Sequence, residues 1–231
     1  MSLWEDVVRK SPDSPVGYNN IGIAYCEKGL LDKSLADLNT AIALNPFYYT
    51  AYNNRGLVLK KMGRLDEAIA DYDKAIALKP GYSEAYNNRG SAFEKIGQFD
   101  KAIADYDRAI ALNPRYSAAY VNRGISYGRA GLFDNSIESI NKALEIDPNN
   151  VDAYVSRGIS YVRIGQNDRA FEDFNKAIRL NQRHILAYFN RGDLHLRTGN
   201  KGLAMSDFKK ACDLGDKEGC GALQALVITH K

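Results

Sequence analysis

The chain has little of what enzymes and membrane proteins are built from. Among 231 residues there are only three histidines: His184, His195 and His230. Their spacing fits neither a structural zinc site nor the H-E-x-x-H pattern. No P-loop and no G-x-G-x-x-G string is present, so nothing announces a phosphate cradle. The aspartates recur with a period, which marks a paired or solvated face and not an active site. The residues therefore read as a non-enzyme with no cofactor and no metal. No apolar run approaches the roughly 18 residues of a membrane span, and direct membrane contact is not expected. The N-terminus lacks the apolar core of a signal peptide. Net charge is only +3 and evenly spread, which argues against nucleic acid as a partner. Cys26, Cys212 and Cys220 are odd in number with no C-x-x-C pair, so they read as free thiols and not as a disulfide framework. Free thiols favour a reducing compartment such as the cytoplasm.

What is there is repetition. Residues 52–80 read YNNRGLVLKKMGRLDEAIADYDKAIALKP, and residues 86–114 read YNNRGSAFEKIGQFDKAIADYDRAIALNP. The second begins 34 residues after the first. The period extends both ways to give six units: 15–48, 49–82, 83–116, 117–150, 151–184 and 185–218. Such an array is expected to form one elongated domain that acts by binding.

The shared columns predict an antiparallel helix pair in each unit. Apolar residues recur at three and four, never in alternation, which excludes strands. A glycine column (Gly29, Gly63, Gly97, Gly131, Gly165, Gly199) ends the first helix. Proline (Pro46, Pro80, Pro114, Pro148) stops the second in four units. A further glycine column (Gly22, Gly56, Gly90, Gly124, Gly158, Gly192) lies inside the first helix. Each of these costs about 1 kcal/mol against alanine, and close helix approach is the compensation to expect.

These columns resemble the tetratricopeptide repeat (TPR), whose pattern is a large aromatic, Leu-Gly, Tyr, Ala, Phe, Ala and Pro. The resemblance covers residues 15–218 and implies an all-α, right-handed α-α superhelix of stacked antiparallel helix pairs. It implies a protein-interaction scaffold without naming the partner.

The chain departs from that pattern where leucine precedes glycine. Units two to six carry Arg55, Arg89, Arg123, Arg157 and Arg191, and unit one has Ile21. An arginine at a core-facing site needs a partner. The column Asp37, Asp71, Asp105, Asp173 and Asp207, with Ser139 as its exception, supplies one. Pairing with the aspartate of the preceding unit (Arg55 with Asp37) would explain why unit one needs no arginine. It leaves Arg157 opposite Ser139, needing Glu138 or water. The alternative is a ligand-binding arginine ladder.

An asparagine column runs along the first helices: Asn20, Asn54, Asn88, Asn122, then Ser156, then Asn190. The resemblance places these on the concave face, where they are similar to the asparagine ladder of O-GlcNAc transferase TPR arrays, which grips an extended polypeptide. Amide side chains donate and accept, so they can hold a peptide main chain. The other reading is that they tie helices together. Asn19, Asn53 and Asn87 flank the ladder, followed by Val121, Val155 and Phe189, so the groove is expected to turn from polar to apolar. Asn53 and Asn87 join the candidate peptide-binding residues. Asparagine at positions 19, 53 and 87, where a carboxylate clamp needs lysine, argues against a chaperone-tail adaptor. The basic column Lys61, Lys95, Arg129, Arg163 and Arg197 reads as solvated.

The ends deviate. Residues 2–10 read as a short helix, with Ser2 and Glu5 as a capping box. Residues 1–14 look like half a repeat, either a natural cap or a cut from something longer. The opening segment also resembles the link to the TPR half of membrane O-mannosyltransferase-like proteins. The alternative to a free-standing scaffold is therefore the TPR part of a larger membrane-bound glycosyltransferase-like enzyme. Gln182 and Asp216 stand where proline is expected. Residues 217–231 read as a capping helix with Leu223, Leu226 and Val227 on one face. The partner is expected to be a peptide or protein, and the chain itself a monomer.

Overall fold

The structure, a computed structural model, describes residues 11–228. The helix expected over residues 2–10, with Ser2 and Glu5, lies outside the described residues. Among those described there are 13 α-helices and no strand. They fall into two compact units, Met1–Arg115 and Tyr116–Lys231, where the period suggested one elongated domain. In a repeat array each pair contacts only its neighbours, so contacts gather locally.

The first unit holds α1 (Pro15–Glu27), α2 (Leu31–Leu44), α3 (Tyr49–Lys61), α4 (Leu65–Leu78), α5 (Ser83–Lys95) and α6 (Phe99–Leu112). Helices α1 and α2, α3 and α4, and α5 and α6 form the pairs. Helix α3 also touches α1 and α5, so the odd-numbered helices form one layer. The second unit repeats the scheme with α7 (Ser117–Arg129), α8 (Phe133–Ile146), α9 (Val151–Arg163), α10 (Asn167–Leu180), α11 (Ile185–Arg197) and α12 (Lys201–Asp213). It closes with α13 (Lys217–Ile228).

The two glycine columns do different work. Gly63 ends α3 with φ +80°, and the Arg64 N–H reaches back to the Leu59 carbonyl at 2.9 Å, a Schellman closure. Gly56 lies inside α3, and a Cβ there would come within 2.7 Å of Tyr72 Cε1. The large residue of each second helix presses on this bare backbone. Leu38, Tyr72 and Tyr106 in the first unit, and Ile140, Phe174 and Phe208 in the second, are buried this way.

The second helices end on an Asx turn that the proline pattern does not reveal. Asn45, Asn113, Asp147 and Asn181 each accept, through a side-chain oxygen, the N–H two residues on, at 2.9–3.2 Å. Asn181 keeps the extended backbone of this position although Gln182 replaces proline. The turn therefore does not depend on the proline alone.

The end of the chain corrects two expectations. Cys212 and Cys220 are joined by a disulfide, with Cα atoms 4.6 Å apart. Gly215, at φ +102°, turns the chain sharply, and Asp216 caps the Gly219 N–H at 3.0 Å. The missing side chain of Gly219 lets α13 close on Ala211 of α12. This juxtaposition is not visible in a spacing of eight residues, and it removes the reading of three free thiols. Only Cys26 is free, and it is buried. In α13, Leu226, Ala222 and Leu223 pack on Phe208 and Phe189. Val227 does not join them and is exposed.

Candidate functional site

The asparagines of the first unit form a two-row network. Asn54 of α3 donates through Nδ2 to Asn19 Oδ1 of α1 at 2.9 Å. Asn88 of α5 donates to Asn53 Oδ1 of α3 at 3.0 Å. Asn19 in turn donates to Asn20 at 3.2 Å. Asn19, Asn53 and Asn87 are buried, whereas Asn20, Asn54 and Asn88 stay half-buried. Asn53 and Asn87, grouped by sequence with the peptide-binding candidates, are buried below the surface. They lie beneath it, and Asn53 ties α3 to α5. Asn54 and Asn88 each spend one N–H on such a tie. Their Oδ1 atoms have no hydrogen-bond partner among the described residues.

In the second unit Asn122 is likewise half-buried. Asn190 turns back on its own helix, donating to the Leu186 carbonyl at 2.7 Å. Val121 and Val155 are buried core residues, and Phe189 packs 5.6 Å from the Phe208 ring. These three do not line an apolar groove, as their column suggested.

The arginine column pairs in the opposite register to the expected one. Arg55 meets Asp71 of its own unit, with Nε and Nη2 donating to the two carboxylate oxygens at 2.7 and 2.6 Å. Its Nη1 donates to Asn39 Oδ1 of the preceding second helix at 2.8 Å. Arg89 does the same with Asp105 and Asp73, Arg157 with Asp173 and Asn141, and Arg191 with Asp207 and Asn175. Arg123 meets Ser139 at 3.0 Å. Arg157 therefore needs neither Glu138 nor water.

Asp37, expected to meet Arg55, falls instead in the column that would face Ile21, and burial pushes its carboxyl up. Burial also pushes Asp105 and Asp173 up, against the pull of Arg89 and Arg157. Each bidentate arginine links one second helix to the next. The guanidiniums are spent on protein groups, so they do not form a ligand ladder. The column Asn39, Asp73, Asn141 and Asn175 was the part overlooked. Its signal was a polar residue 16 positions before each arginine.

Gly124-Ile125-Ser126-Tyr127-Gly128 has G-x-S-x-G spacing. It lies within α7 and not on a strand-to-helix elbow, and Ser126 is fully buried, so it is not presented as a nucleophile. His195 packs on Phe171 with ring centroids 4.6 Å apart, in the place that Tyr127 and Tyr161 take in the two units before it. Among the described residues no cluster of three or more His, Cys, Asp or Glu is placed to hold a metal. No helix there is long and apolar enough to cross a membrane.

Tetratricopeptide repeat models match residues 49–82, 83–116 and 117–150, and related repeat models match 22–63, 140–172 and 185–214. No curated protein sequence matches the chain. Among solved structures, the APC/C hetero-tetramer Cut9–Hcn1 aligns with a TM-score of 0.87 at 16% identity, over 97% of this chain. This chain spans only 45% of that one. MamA aligns at 30% identity and TM-score 0.62, over 73% of this chain and 92% of its own. YrrB, described as a TPR protein with an unusual peptide-binding site, aligns at 23% identity and TM-score 0.61, over 82% of this chain and 98% of its own. The repeat matches cover most of the sequence, and the helix pairs are those of the same solenoid class. This chain belongs to the tetratricopeptide repeat family.

Proposed function

We propose that this repeat protein is an interaction scaffold whose α1, α3 and α5 layer holds the main chain of an extended peptide. The observation that carries this reading is the division of labour between the two asparagine rows. Asn19 and Asn53 take up the helix-tying role from below. Asn54 and Asn88 keep an uncommitted amide oxygen at the surface. A peptide main chain presents N–H donors at regular intervals, and successive first helices offer acceptors for them. Such a grip reads backbone and not side chains, so it tolerates many sequences. YrrB is a parallel in fold for a repeat array of this kind with a peptide-binding site.

The test is selection from a random peptide library against the whole chain, followed by hydrogen exchange on the complex. Protection concentrated in α1, α3 and α5 is the expected result. Asn54→Asp and Asn88→Asp keep shape and an acceptor. Asn54→Leu and Asn88→Leu keep the branched shape but remove the acceptor, and they should abolish retention of the selected peptides while the helical signal persists. Peptides retained equally by parent and leucine variants would overturn the reading.

A further inference from the structure

A cavity of about 560 Å³ opens between α7 and α9, beside the start of α8. Two departures from the period meet there. Gly128 stands where other units carry Cys26, Lys60, Glu94, Val162 and Leu196. Ser156 stands where every other unit carries asparagine. The two are 28 residues apart in sequence and line the same space.

Packing does not explain Gly128. A Cβ at Gly124 would come within 2.5 Å of Ile140 Cγ1, so that glycine is required by close approach. A Cβ at Gly128 would find Ser136 Oγ at 3.4 Å and Ser160 Oγ at 3.7 Å, an ordinary fit. A glycine inside a helix weakens it, and here no neighbour asks for it. What the glycine provides is the space itself.

The lining has a definite chemistry. At the floor, Ser136 and Ser160 are buried and bonded to each other at 2.9 Å. Ile125 and Ile159 supply apolar walls, and the exposed Arg129 and Arg163 stand at the mouth. Arg197, in the same column, is held by Asp193 at 2.7 Å. Arg163 has no carboxylate partner among the described residues. The volume lies in the range of small-ligand sites, roughly 300–1,000 Å³.

We infer that this cavity is a subsite for an acidic peptide, taking one aliphatic or aromatic side chain whose neighbouring carboxylate meets Arg163. The carboxylate can come from Asp or Glu next to the apolar residue, or from a chain end. The site lies in residues 116–231 and the asparagine surface in residues 1–115, so either can fail without the other.

The probes are three labelled peptides read by fluorescence anisotropy against the full chain. One has Leu-Glu with an amidated end, one has Leu with a free carboxyl end, and one has Leu-Gln with an amidated end. At least one acidic probe should bind about tenfold more tightly than the neutral one at low salt, and more weakly as salt rises. The two acidic probes distinguish the sources of the carboxylate. Gly128→Val fills the cavity with the residue found one unit later and should weaken the acidic probes about tenfold, with a thermal midpoint no lower than the parent's. Arg163→Gln is an exposed change that leaves folding intact and should remove most of the preference for acidic over neutral probes. Equal binding by all three probes would overturn the inference. So would full binding by Gly128→Val, or the absence of saturable binding up to about 1 mM.

Discussion

Arg55 grips both carboxylate oxygens of Asp71, sixteen residues on, while its third nitrogen reaches Asn39 sixteen residues back. Asp71 is nearly buried, with its side chain 8% exposed. Removing the arginine leaves a carboxylate without its charge partner, which costs far more than the pair contributes in water. Arg55→Leu, which restores the leucine of the repeat pattern, is expected to destabilise by about 3 kcal/mol. The double change Arg55→Leu with Asp71→Ser should recover most of that loss. Urea midpoints for the two singles and the double make the cycle. Additive losses would show that the pair is not coupled.

Three glycines of one residue type should respond differently to the same substitution. Gly56→Ala drives a Cβ to within 2.7 Å of the buried Tyr72 ring, and overpacking of this kind costs about 1–3 kcal/mol. Gly63→Ala meets no neighbour but must hold φ +80°, at about 1–2 kcal/mol. Gly128→Ala meets neither obstacle and should stabilise by about 1 kcal/mol through helix propensity. Thermal midpoints in that order, with only Gly128→Ala above the parent, are the expected result.

The columns made the helix pairs legible because each depends on local chemistry: apolar residues at three and four, glycine at the turn, proline past the end. The partners of Arg55 were not legible for a reason of arithmetic. Asp71 lies 16 residues ahead and Asp37 lies 18 behind, and these sum to the period. A repeating sequence therefore offers both with equal regularity. Only the antiparallel packing of α3 on α4 selects Asp71. Asn53 and Asn54 pose the same difficulty, since adjacent asparagines differ in burial by helix rotation alone. The Cys212–Cys220 bond was hidden because it depends on the turn at Gly215, a departure from the repeat and not a property of it.

Tyr72 carries a buried hydroxyl without a hydrogen-bond partner, and burial pushes its ionisation well above the usual phenol range. Tyr106, one unit on, gives its hydroxyl to Glu94 at 3.3 Å. The residue corresponding to Glu94 is Lys60, which donates to Ser91 instead. An unmet buried hydroxyl costs about 1–3 kcal/mol. Tyr72→Phe, the residue type already present as Phe174 and Phe208, should therefore raise stability by about 1 kcal/mol. Tyr106→Phe should leave it unchanged or lower it. A loss of stability in Tyr72→Phe, measured by thermal melting, would mean the hydroxyl has a partner after all.

His195 is expected to contribute to the pH dependence of stability in the last helix pairs. Burial lowers its pKa below the ordinary 6.5, and Arg191 pushes the same way, while Asp207 opposes them. Its Nδ1 is buried without a partner, and Phe171 covers the ring. Since the folded value lies below the unfolded one, the unfolded chain binds more protons between the two. Stability then rises with pH across that window. The contribution is whole above about pH 6.5 and is lost as pH falls toward the folded value. Replacing His195 with tyrosine, as at Tyr127 and Tyr161, should flatten this part of the profile without changing the melting midpoint at neutral pH. Melting curves from pH 7.5 down to about pH 5 compare the two chains over the range where histidine titrates. If both midpoints fall in parallel, the sensitivity does not come from His195.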